Sequence, residues 1–223
     1  MPTTYAKTEA GELFTRIAPT YDRVNTVLTA GLDARWRRCL TAWTRRRAYG
    51  TYIDLASGPG EVARGVDEAR RPRRTFLVDI SEAMLRRAAP DARRVVADIA
   101  CLPFRDGEAD LLSCAFGLRN LPDLAAGLRE ARRVLRPGGD FLILEFLRPD
   151  GAFSVAFERL YIRTILPRIG GAISGDPAAY RYLAETIGGF LRPGEFRAAL
   201  VAAGFENIEA RSLDVGVATL VRA

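Results

Sequence analysis

From residue 51 onward, short apolar runs (TYIDLA, TFLVDI, RRVVADI, ADLLSCAF and DFLILEFL) alternate with stretches of helical character. Strands that alternate with helices need crossover connections, and crossovers lay strands down in parallel, so the chain reads as α/β with a mainly parallel sheet. The first helix is predicted over Glu61 to Ala69, after Gly58 and Gly60. The second begins at the cap residue Ser81 and runs through Ala88. The third runs from Leu124 to Leu135, ahead of Arg136-Pro137-Gly138-Gly139. Helical patterns follow at Phe153 to Ile169 and Tyr180 to Ile187. A last helix, Gly194 to Ala203, precedes two strands at Asn207 to Arg211 and Val215 to Val221.

A length of 223 residues suits one domain with an elaboration better than two full domains. The expected organisation is a single domain over 1–223, with an N-terminal helical cap at about 8–48, a core at 51–149, a helical lid at 150–190 and a C-terminal helix and strand pair at 193–223. In the cap, Leu13, Phe14, Ile17, Tyr21, Val24 and Leu28 recur at three- and four-residue spacings and predict an amphipathic helical segment. The longest apolar stretch, Phe141 to Leu147, is broken by Glu145 and is far short of the roughly 20 residues that cross a bilayer. The N-terminal sequence has no basic start followed by an apolar run. A cytoplasmic protein is expected, with membrane association left open.

Histidine is absent, which removes the usual general base and the commonest metal ligand. Cys39, Cys101 and Cys114 lack CxxC spacing, so no metal site is expected and the thiols are expected to be reduced and buried. The formal charge is +6, but the arginines are scattered in short clusters through the chain. No nucleic-acid partner is expected, because Leu118-Arg119-Asn120-Leu121 is neither a proline-aromatic motif nor a cysteine nucleophile.

The chemistry centres on Asp54-Leu55-Ala56-Ser57-Gly58-Pro59-Gly60-Glu61, a strand that ends in a glycine-rich turn into a helix. Glycines let backbone approach a ligand, and a helix N-terminus favours negative groups. Asp54 lies inside the strand, where a dinucleotide-binding strand is normally wholly apolar. Asp79 ends the second strand, 19 positions after Gly60, where a carboxylate can accept both ribose hydroxyls. Asp98 ends the third and can accept an adenine amino group, with Ile99 covering the ring. Three acidic strand ends favour adenosylmethionine over NAD.

The chain resembles the UbiE-type ubiquinone/menaquinone C-methyltransferases along nearly its whole length. The resemblance is carried by Phe14-Thr15-Arg16-Ile17-Ala18 with Tyr21-Asp22 and Asn25, by Gly31 to Trp36, and by Asp79-Ile80-Ser81 with Met84-Leu85. It continues through Phe116-Gly117-Leu118-Arg119-Asn120, Pro137-Gly138-Gly139, Leu144-Glu145-Phe146, Tyr180 to Glu185 and Gly204-Phe205. It implies a class I methyltransferase fold: a Rossmann-like seven-stranded sheet with flanking helices and a helical N-terminal and lid cap. It also implies adenosylmethionine as donor, held by Asp54, Ala56, Gly58, Pro59, Gly60, Asp79, Ile80, Met84, Asp98, Ile99 and Ala115. Pro59 stands where the family usually has threonine.

The acceptor it implies is a polyprenylated quinol, demethylmenaquinol-type, methylated on a ring carbon. Tyr21, Asn25, Phe116, Tyr161, Tyr180 and Tyr182 are the expected substrate contacts, with the lid and N-terminal helix walling a tunnel for the isoprenoid tail. Arg119 is expected to stabilise the phenolate and Asn120 to orient the second oxygen. Peripheral membrane contact and a homodimer are further expectations. A pathway-specific methyltransferase of natural-product assembly and a non-catalytic adenosylmethionine-binding module stand as alternatives.

Overall fold

The computed structural model describes residues 7–45, 47–148, 164, 166–214 and 218–223. Where the periodicity predicts one amphipathic segment, three helices form: α1 (Lys7–Ile17), α2 (Tyr21–Leu28) and α3 (Leu32–Ala42). Pro19 explains the first break, since it disfavours helical backbone at Ala18 and cannot donate an amide. At the second break Ala30 and Gly31 take left-handed backbone, φ 50° and 78°.

The core follows with β1 (Thr51–Leu55), α4 (Glu61–Arg70), β2 (Arg74–Asp79), α5 (Glu82–Leu85), β3 (Arg93–Val96), β4 (Ala109–Ala115), α6 (Leu124–Val134) and β5 (Leu135–Glu145). The Ser81-capped helix is a single turn and stops short of Ala88. Likewise, α6 gives way to strand one residue earlier than expected: Leu135 already pairs with Ala109, and the ladder shifts register before resuming at Leu111 and Asp140. Asp123 caps α6 by accepting the Ala126 amide at 2.8 Å.

Beyond the core come α7 (Leu166–Ser174), α8 (Pro177–Gly189), α9 (Pro193–Ala202), β6 (Glu209–Leu213) and β7 (Ala218–Arg222). Residues 149–163, which carry most of the predicted helix at 153–169, lie outside the described residues. Asp176 caps α8 through the Ala179 amide at 3.1 Å. A Cβ on Gly170 would meet the Tyr180 ring at 2.4 Å, so α7 packs on α8 only because that side chain is missing.

The seven strands form one sheet in the order β3-β2-β1-β4-β5-β7-β6. β1 to β5 are mutually parallel, and β7 runs antiparallel to both β5 and β6. Ile53, Leu112 and Phe141 face α6 and α9 on one side, while Tyr52, Leu111 and Leu142 face α3 and α4 on the other. A third apolar cluster, with Leu13, Ile17, Val24, Leu28, Tyr180, Tyr182 and Ile187, joins the N-terminal helices to α8. Strand order reverses between β1 and β4, and a crevice opens over the carboxyl ends at such a point. Cys114 is buried as expected, but Cys101 is exposed. Among the described residues no helix is long and apolar enough to cross a membrane.

Candidate active site

A cavity opens over the carboxyl ends of β1, β2 and β4. Of the residues expected to hold the donor, Ala56, Gly58, Asp79, Ile80, Met84, Asp98, Ile99 and Ala115 line it. Ala56, Gly58 and Gly60 all have positive φ (49°, 54° and 81°), which turns the chain sharply from β1 into α4. A Cβ on Gly60 would meet Leu77 Cδ1 at 2.9 Å, whereas Gly58 faces open space. Pro59 and Gly60 border an outer groove along α4 and β2 instead of this cavity. Asp54 sits beneath the loop, 1% exposed.

Asp79 accepts the Gly58 amide at 2.9 Å and the Ser81 amide at 2.8 Å. Burial pushes its carboxyl up, and these amides oppose the shift. Asp98 lies two residues past the end of β3 and accepts the Ala100 amide at 2.9 Å. Asp54 accepts the Ser113 hydroxyl, and Ser113 shares a 2.7 Å hydrogen bond with the Tyr52 hydroxyl.

At the other end, Phe14, Phe116, Asn120, Leu121 and Pro122 line the wall. Phe116 takes φ 60° and stacks on Phe146 at 4.5 Å between centroids. The amide nitrogen of Asn120 donates to the Phe116 carbonyl at 3.2 Å, and its oxygen accepts the Tyr182 hydroxyl at 3.2 Å. Asn120 therefore joins the core to the cap.

Arg119 does not stand on this wall. Its Nη1 donates to Glu145 at 2.7 Å and to the Phe116 carbonyl at 2.6 Å. The two side chains are 4% and 1% exposed, so the guanidinium expected to face a phenolate is already neutralised by a buried carboxylate. Tyr180 is packed against Gly170 in the cap core and is not a wall residue. Tyr21 and Asn25 fall on α2, but their side chains lie outside what the structure describes, as does Tyr161 altogether.

Sequence reasoning missed Phe14 as a wall residue, Gly117, and the pairing of Ser113 with Asp54. A Cβ on Gly117 would come within 2.5 Å of Ala56 Cβ, so this glycine lets the loop after β4 close on the loop after β1. Ser113 did carry a signal: it is a polar residue inside the apolar run ADLLSCAF. Among the described residues no cluster suited to a metal ion forms.

Topology, glycine loop and strand-end carboxylates together define a class I adenosylmethionine-dependent methyltransferase fold. A solved methyltransferase from Thermotoga maritima superposes with TM-score 0.70 at 15% identity, covering 95% of this chain and 97% of that one. The profile of the ubiE/COQ5 methyltransferase family matches residues 3–223, and the chain belongs to that family. The Ubiquinone/menaquinone biosynthesis C-methyltransferase UbiE of Syntrophotalea carbinolica is 39% identical over 215 residues, 93% of this chain and 90% of the relative. The Demethylmenaquinone methyltransferase of Thermus thermophilus is 39% identical over 216 residues, 93% and 97% of the two chains.

Proposed function

We propose that this chain methylates a ring carbon of a polyprenylated quinol, demethylmenaquinol-type, in quinone biosynthesis. The observation that carries this reading is one cavity with carboxylates Asp79 and Asp98 at one end and Phe14, Phe116 and the Asn120 amide at the other. The donor end fits the implied group: Gly58 leaves open space above the loop, and Asp79 stands at the strand end where ribose hydroxyls would be accepted. When bound there, adenosylmethionine supplies an electrophilic methyl group.

The residues of this chain do the rest by positioning. A phenol-like hydroxyl with pKa about 10 costs roughly 4 kcal/mol to ionise at neutral pH. The Asn120 amide, fixed by Phe116 and Tyr182, donates a hydrogen bond to the quinol oxygen and eases that cost. Arg119, held by Glu145, is a positioning residue that fixes the Phe116 carbonyl and so the wall. The cap excludes water from above. A polyprenyl acceptor lives in a bilayer, so the cap side, with exposed Val27 and Ile169, is the face that approaches the membrane.

The test is methylation of quinols of decreasing tail length by the purified protein, read by mass spectrometry. The expected result is a C-methylated quinol, with kcat/KM falling progressively as the tail shortens. Equal efficiency for tailless and long-tailed quinols would favour a small-molecule methyltransferase. Donor binding without methylation of any quinol would favour a binding module.

A further inference from the structure

The buried polar chain beneath the glycine loop is not used by the reaction as described above. Asp54 Oδ1 accepts the Ser113 hydroxyl, and Tyr52 completes the chain. Asp54 Oδ2 is fully enclosed and has no hydrogen-bond partner among the described residues. A carboxylate so placed is short of hydrogen bonds for a negative charge, with the Ala63 amide of α4 the further group that favours it. The cation that bears on it, Arg37, is already shared with two other carboxylates, Asp33 and Glu61. Ala56, two residues on in the turn that follows β1, lines the cavity. Two residues of chain reach at most about 7 Å, a distance at which unit charges inside a protein still interact strongly.

Methyl transfer changes the charge of the ligand above. Adenosylmethionine carries a sulfonium, an ammonium and a carboxylate, and so one net positive charge. Its thioether product, adenosylhomocysteine, has none. We propose that Asp54, oriented by Ser113 and Tyr52, is the residue that discriminates the cationic donor from the neutral product, and that the discrimination is lost when Asp54 takes up a proton. The inference rests on the donor-binding role proposed above and adds a selectivity mechanism to it. With Asp54 ionised, the donor is held and the spent product is released more readily. With Asp54 protonated, the two bind alike.

The surroundings of Asp54 agree with a group poised between the two forms. From β1 it meets Tyr52 and from β4 Ser113, with the buried Cys114 beside it. From β2 the Asp79 charge disfavours ionisation. From α4 the Ala63 amide favours it, and from α3 so does Arg37, itself shared with Asp33 at 2.6 Å and with Glu61 of α4 at 3.1 Å. Burial outweighs these and pushes the Asp54 carboxyl up to about 7.

Isothermal titration of the full chain with adenosylmethionine and with adenosylhomocysteine, from about pH 5.5 to about pH 8.5, tests the idea. The product-to-donor ratio of Kd should rise about tenfold across this range, the change that accompanies a donor-induced shift of about one pKa unit. Its midpoint should lie near 7, where Asp54 titrates. Ser113→Ala removes a donor from the carboxylate and should move the midpoint to higher pH, and Tyr52→Phe should move it less in the same direction. Asp54→Asn should leave the ratio flat. A flat wild-type ratio, or a slope that survives Asp54→Asn and so belongs to another titrating group, overturns the proposal while leaving donor binding intact. Failure of both ligands to bind overturns the donor reading itself.

Discussion

On the donor side of the cavity the polar contacts close within one strand–helix–strand unit: Asp79 takes one amide from Ser81, two residues away, and another from Gly58, 21 residues away. On the acceptor side Asn120 meets Tyr182 across 62 residues, and Arg16 of α1 meets Asp176 of α8 across 160. The donor half is thus fixed by turns of the parallel sheet, whose central strand β1 is buried along its whole length. The acceptor half is completed only when α1 and α2, from one part of the chain, pack against α7 and α8, from another. One half is preorganised by backbone, and the other is as stable as the cap that covers it. Thr15 and Ser81, whose hydroxyls lie 2.9 Å apart, tie the two halves together directly.

The strongest perturbation falls where both halves lean on the same pair. Arg119→Ala strands a buried Glu145, and should cost about 3 to 5 kcal/mol in urea denaturation. The double change Arg119→Met with Glu145→Leu should recover most of that loss, because the buried pair is then replaced by apolar packing. If catalysis returns along with stability, Arg119 acts through the fold alone. If stability returns without catalysis, its fork is needed at the wall.

A smaller effect should stay within the donor half. Asp79→Ala should weaken adenosylmethionine binding by about 10- to 150-fold, equivalent to roughly 1.5 to 3 kcal/mol, as expected for losing charge-assisted contacts to the ribose. Binding of wild-type strength would mean that the ribose is held elsewhere. The smallest effect should stay within the acceptor half. Tyr182→Phe removes one hydrogen bond to Asn120 and should lower kcat/KM for the quinol by about 2- to 12-fold, or 0.5 to 1.5 kcal/mol. Donor Kd should not change. An equal change in donor affinity would show that the halves are coupled, against the contrast drawn above.

The same division governs what the sequence made legible. Gly58, Gly60, Asp79 and Asp98 announce themselves because each sits at a strand end, where short-range pattern and ligand chemistry coincide. Asp123 announced α6 for a similar reason. Long-range partners leave no such mark. The sequence leaves a salt bridge from Arg119 to either Glu130 or Glu145 open, and only the fold selects Glu145. The cap was misjudged as one segment because its apolar spacing continues across Pro19 and across the left-handed backbone at Ala30 and Gly31. Hydrophobic period reports which face is buried, not where the axis turns.

The placement of β7 between β5 and β6 has a consequence for how the molecule assembles. Leu142 to Glu145 pair with Thr219 to Arg222, and some 70 residues separate the two strands in the chain. Until β7 arrives, β5 presents an unpaired edge whose Phe141, Leu142, Ile143 and Leu144 are all destined for full burial, the kind of edge that captures other chains. β6 cannot dock first, because its only neighbour in the sheet is β7. β7 is therefore the strand that seals this edge against aggregation, and β6 joins with it or after it, a duty quite apart from any part the pair has in the cavity.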